Sequence, residues 1–208
     1  MRKLGLATLA LTLTLAAGTA AYADPVVGGN GPDHLVGTDG VDRLYGLGGD
    51  DHIEAFGGND VAMGNEGDDH IYSGPGDDEL AGNRGRDFLR GSGGLDLVYG
   101  GNQADNLGGG YGTDLLDAGP GSDRLAGGYG NDILSGGDGR DTLFGGPGAD
   151  RIYGGAGDDT IWVDTDLKSD QIFCGPGIDT LVVSDAQVGG AEKDVVKNCE
   201  KVHSSFEH

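Results

Sequence analysis

Gly154-Gly155-Ala156-Gly157-Asp158-Asp159-Thr160-Ile161-Trp162 reads as a glycine turn running into a short strand, and variants of this nonapeptide fill most of the chain. Counted back from Asp159, an aspartate stands at every ninth residue without a slip: Asp33, Asp42, Asp51, Asp60, Asp69, Asp78, Asp87, Asp96, Asp105, Asp114, Asp123, Asp132, Asp141, Asp150 and Asp159. With that Asp as the sixth place, each unit follows G-G-x-G-x-D-x-U-x, where U is a large aliphatic residue. The fourth place is Gly in 14 of 15 units (Gln103 excepted), the eighth is Leu, Ile or Val in 14 of 15 (Ala62 excepted), and the first is Gly in 12. A short fixed period of this kind marks a solenoid, whose units bury their apolar faces by stacking on one another.

The physics of one unit supports that reading. In Asp141-Thr142-Leu143-Phe144 the strand alternation sends Leu143 to one face and Thr142 and Phe144 to the other. Gly136-Gly137-Asp138-Gly139-Arg140 is the turn, where glycine supplies positive φ at little steric cost.

The nonapeptide from Gly154 to Trp162, repeated over residues 28–162, resembles the haemolysin-type calcium-binding (RTX) repeat. The resemblance implies that two units make one right-handed coil and that calcium sits between turns. The expected fold is therefore all-β, a right-handed parallel β-roll (β-solenoid) over residues 24–162. Residues 163–208 are expected to form a C-terminal cap. Many members of that family are exported by a C-terminal signal, whereas this chain carries an N-terminal one.

Two units per coil place residues 18 apart directly over one another, at the ~4.8 Å spacing of paired strands, so seven and a half coils would span about 36 Å. Asp132 then lies over Asp150 and Asp141 over Asp159, an arrangement that is repulsive without a cation. Ca²⁺ takes six to eight oxygen ligands at 2.3–2.6 Å, which stacked carboxylates and turn carbonyls supply; Mg²⁺ demands tighter octahedral geometry and keeps its waters. Aspartates 18 apart form 13 pairs, from Asp33–Asp51 to Asp141–Asp159. The alternative, in which the aspartates only make metal-free Asx-turns, leaves those ladders uncompensated. Folding and calcium binding are expected to be one event. Ala55-Phe56 before Asp60, Ala62 after it and Gln103 beside Asp105 break the pattern, so weaker binding or a distorted coil is expected at those two units.

The two ends carry different signals. Arg2 and Lys3, an apolar run from Leu4 to Ala17 and Ala21-Tyr22-Ala23 form the pattern of a cleaved secretory signal peptide, residues 1–23. The apolar run is shorter than the roughly 20 residues that span a bilayer. Removing this segment leaves 11 basic against 35 acidic residues, a formal charge of −24. Such a charge excludes nucleic acid and anionic membranes as partners and favours cations. Beyond Asp159 the phase slips by two residues and resumes at Asp170 and Asp179, with Ile172 and Leu181 as inward residues. The only cysteines, Cys174 and Cys199, fall here, and an exported chain is expected to pair them, which staples the cap.

Seventh-place residues should face outward. His34, His52 and His70 are 18 apart and form a candidate ladder for a second metal such as zinc, or else a solvated polar row. Leu97, Leu115 and Ile133 form a candidate apolar patch for a protein or surface partner. No H-E-x-x-H, G-x-S-x-G or Walker-type loop occurs, and no enzymatic activity is expected. The expected function is that of a secreted calcium-binding repeat protein whose folding is coupled to Ca²⁺. The alternative is an extracellular adhesion or matrix-interaction protein that uses the apolar face.

Overall fold

The computed structural model describes residues 24–164, 168–183 and 195–204; the expected signal peptide lies outside the described residues. Among the described residues the regular structure is 21 short strands with no helix. Consecutive strands alternate between two sheets in which every neighbour is parallel, except that Leu115–Asp117 and Pro120–Gly121 follow one another in the same sheet. One sheet begins at Val26–Val27 and Arg43–Gly48 and ends at Val195–Lys197; the other runs from His34–Thr38 and His52–Phe56 to Lys201–Ser204. The chain is thus a parallel β-solenoid, each coil giving one strand to each sheet.

The register is the one the period demands. Leu107 pairs with Leu125, Leu125 with Leu143 and Leu143 with Ile161, each a step of 18 residues. Past Asp159 the step lengthens to 20, pairing Ile152 with Ile172 and Ile161 with Leu181. Longer connections then bring Val196 onto Ile172 and Val202 onto Leu181. Residues 168–183 and 195–204 therefore stack as further coils. Each stack is ten strands deep, so nine steps of ~4.8 Å make the roll about 43 Å long. The 36 Å expected from the strict period falls short, because Ile172 and Leu181 keep the stack going after the phase slip.

The eighth-place aliphatics close the interior. From Leu35 to Leu181 all are at most 4% exposed. Ala62 sits in register between Leu44 and Leu80 and is fully buried, so the smaller side chain does not interrupt the stack. Cys174 takes the buried place that the first glycine holds in other units, and it is disulfide-bonded to Cys199, with a Cα–Cα distance of 5.2 Å.

Candidate metal centre

Sixth and eighth places have the same parity along a strand, so the turn that delivers each inward leucine also delivers an inward aspartate. All fourteen periodic aspartates from Asp42 to Asp159 are at most 3% exposed, while Asp33, in the first coil, is half-buried. They are linked head to tail. The backbone N–H of Asp123 donates to Oδ1 of Asp141 at 2.8 Å, and Asp141 repeats this to Asp159 at 2.9 Å. The same bond joins every step from Asp33–Asp51 onward, and crosses the phase slip as Asp150 to Asp170 at 2.8 Å and Asp159 to Asp179 at 3.0 Å. Glu200 closes one ladder by accepting from the Asp179 N–H at 2.9 Å.

The second carboxylate oxygen behaves differently along the roll. In the first coil it is satisfied locally: Asp33 Oδ2 accepts from the Gly29 N–H at 2.5 Å, and Asp42 Oδ2 from the Thr38 N–H at 2.6 Å. From Asp51 through Asp159, and again at Asp179, Oδ2 is buried with no hydrogen-bond partner. A buried orphan oxygen costs roughly 1–3 kcal/mol, and more if it is charged. Thirteen in unbroken succession form a row of acceptors open to a cation or to protons.

The first-place glycines lie tight against both kinds of oxygen. A Cβ on Gly136 would lie 2.4 Å from the Gly154 carbonyl oxygen and 2.6 Å from Asp141 Oδ2. On Gly109 it would lie 2.3 Å from Asp114 Oδ2 and 2.6 Å from the Gly127 carbonyl oxygen. A carboxylate from one coil and a carbonyl from the next therefore converge on the bare face of the glycine. Ala55, Ser73 and Ala118 fill this place in the units of Asp60, Asp78 and Asp123, all three fully buried.

Burial raises the affinity of these carboxyls for protons. Removal from water, countered by the Oδ1 hydrogen bond and reinforced by the stacked neighbours, pushes Asp60, Asp69, Asp96, Asp105 and Asp150 up to about 7. Burial likewise lifts Asp51, Asp87, Asp132, Asp141 and Asp159 to about 6. Asp78, Asp114, Asp123 and Asp179 move in the same direction for the same cause. Orphan carboxylate oxygens and converging carbonyls, with no nitrogen or sulfur donor among them, form a hard donor set that suits Ca²⁺.

The family model of the RTX calcium-binding nonapeptide repeat matches residues 27–55, 54–89, 72–107, 108–143 and 135–166. The chain belongs to this family. No curated protein matches it. It is a calcium-binding repeat protein, and the RTX β-roll is a structural calcium-binding architecture rather than an enzyme fold.

Several sequence expectations change in detail. The coils at Asp60 and Asp105 are not distorted: Asp42 reaches Asp60, and Asp87 reaches Asp105, at 2.8 Å each. Phe56 at φ 74° and Gln103 at φ 80° hold positive φ there, as Leu47, Asn65, Asn83 and Ser92 do in other units. A second, exposed ladder was not anticipated. Fifth-place Asp and Asn residues accept from the backbone N–H one coil later, as Asp50 does from Asp68 at 2.9 Å and Asp158 from Ile178 at 3.0 Å. The signal was an acidic or amide residue immediately before the periodic Asp in six units. Of the histidines, His34 and His52 approach to 5.0 Å between ring centroids, but His70 is 6.4 Å from His52 and stacks on Phe88. Leu97, Leu115 and Ile133 pair directly in one row and are half-buried.

Proposed function

We propose that this chain is a secreted calcium-binding protein whose roll folds as Ca²⁺ fills the space beside its stacked aspartates. The ligands would be Asp51, Asp60, Asp69, Asp78, Asp87, Asp96, Asp105, Asp114, Asp123, Asp132, Asp141, Asp150 and Asp159, helped by first-place carbonyls. Asp33 and Asp42, also expected as ligands, would bind least, because local N–H groups already occupy their free oxygens. The supporting observation is the unbroken run of orphan Oδ2 atoms. A chain of this charge that stays open until it meets extracellular calcium is easier to export, and the disulfide suits an oxidising compartment. Residues 163–208 would act as the cap of the calcium-binding roll of residues 24–162. The protein would have no catalytic role.

Circular dichroism of residues 24–208 in EDTA and in millimolar calcium tests this reading. Strand content should appear only with calcium at neutral pH, and equal strand content in EDTA would refute it.

A second reading, adhesion to a protein or surface partner, draws support from the in-register row Leu97, Leu115 and Ile133, flanked by the exposed Tyr99. Binding of the calcium-loaded protein to matrix polymers, lost on Leu115→Ser, would separate it from simple calcium binding.

A further inference from the structure

We propose that His34, His52 and Glu54 form a zinc-binding site on the outer face of the first two coils, chemically distinct from the calcium ladder inside. His34 and His52 pair directly across neighbouring parallel strands, and Glu54 lies two residues along from His52, on the same face. One potential ligand atom from each residue lies within 4.8 Å of the other two. His52 Nε2 is already 2.9 Å from Glu54 Oε1. Zinc takes imidazole nitrogen and carboxylate oxygen at roughly 2.0–2.2 Å, so tetrahedral ligands sit about 3.4 Å apart. Side chains that are about two-fifths exposed, 42% for His52 and 38% for Glu54, reach that spacing by small rotamer changes.

The donor set decides the metal. Two imidazoles and one carboxylate suit zinc and its borderline neighbours, whereas calcium takes oxygen alone. The site would therefore select zinc even in excess calcium. His70 is outside it, because its ring stacks on Phe88 at 5.8 Å. Three protein ligands leave a fourth position for water. His52 and Glu54 also line a groove with Phe56, Tyr72 and Pro75. Zinc held this way ties the first coil to the second through side chains, in addition to their backbone ladder.

The test is calorimetric titration of Zn²⁺ into the full chain kept in saturating calcium, with Co²⁺ absorption as a reporter of nitrogen coordination. One equivalent of zinc should bind, and Co²⁺ should develop ligand-field bands at the same stoichiometry. His34→Ala, His52→Ala and Glu54→Gln should each weaken binding by roughly tenfold or more, in line with the loss of one of three ligands. His70→Ala should bind within about twofold of the parent. All four changes lie on the outer face, and circular dichroism in calcium should show unchanged strand content. The proposal is overturned by the absence of a zinc equivalent and of Co²⁺ bands in the parent protein. It is equally overturned if His34→Ala and His52→Ala bind like the parent, or if His70→Ala loses as much as they do.

Discussion

Asp132 donates its backbone N–H to Oδ1 of Asp150, one coil further on, at 2.9 Å, while Oδ2 of Asp150 stays buried with no partner. From Asp51 to Asp159 each carboxylate therefore has one oxygen that serves the backbone and one left without a partner. The first oxygen fixes the register whether or not metal is bound. The second makes the register costly in the absence of metal, which is the physical basis of the proposed coupling between folding and calcium.

Acid should partly replace calcium. The folded-state values of Asp60, Asp69, Asp96, Asp105 and Asp150 are raised to about 7, above the ordinary carboxyl value of 3.8. A raised carboxyl favours the fold while protonated, so its contribution is complete below pH ~4 and disappears as pH rises through 6 to 7. In EDTA, strand content should be greatest near pH 4 and lost by pH 8. With calcium the dependence reverses, since binding displaces protons and strengthens through the same window. Circular dichroism against pH in EDTA and in calcium checks both signs; identical unfolded spectra at pH 4 and pH 8 in EDTA would show that protonation does not relieve the ladder.

Asp105→Asn should separate the two oxygens. The amide oxygen can still accept the Asp87 N–H, which is 2.8 Å from Oδ1, while the amide nitrogen is no calcium ligand and removes a charge. The calcium midpoint for folding should rise, whereas metal-free strand content at neutral pH should not fall. With calcium at ten times a site's Kd, each lost site costs about 1.4 kcal/mol. Calcium titration monitored by circular dichroism reads the midpoint, and an unshifted midpoint would remove Asp105 from the ligand set.

Relief of backbone strain should stabilise the roll. Phe56 occupies the second turn place at φ 74°, where most units carry glycine, and its side chain is 47% exposed. A non-glycine residue there costs on the order of 1–3 kcal/mol, partly offset by the greater unfolded-state entropy of glycine. Phe56→Gly should raise stability in calcium by about 1 kcal/mol, as should Leu47→Gly at φ 79°. Urea unfolding of the calcium-loaded protein measures it, and a loss of stability would mean that these side chains pack better than their exposure indicates.

The fold was legible because the period sets parity and register together. With two nine-residue units per coil, as the family resemblance implied, the 18-residue step places Leu125 on Leu107 and Asp141 beside Asp123. The use of the two carboxylate oxygens was not legible, because it depends on backbone N–H directions that a repeat pattern does not encode. For the same reason Asp33 and Asp42, identical in sequence to the others, were not told apart from them. Glu200 was hidden differently. It takes the place of a periodic Asp after loops that had destroyed the period, and only its position before Lys201, paired with Thr180, reveals the phase.

The disulfide should govern how the C-terminal coils open. Cys174 and Cys199 are 25 residues apart and tie the coil of Gln171–Phe173 to the strands that follow it. In the chain-entropy account, closing a loop of that size contributes about 3.5 kcal/mol, with the mechanism model-dependent. Those coils have longer connections and fewer aspartates than the regular repeat, so local opening there is the least costly. Reduction, or Cys199→Ser, should speed hydrogen exchange in Gln171–Phe173 and Thr180–Val183 while leaving Leu107, Leu125 and Leu143 protected at saturating calcium. Uniform deprotection along the whole stack would instead mean that the solenoid opens as a single unit, with the calcium ladder transmitting the loss of the C-terminal staple to every coil.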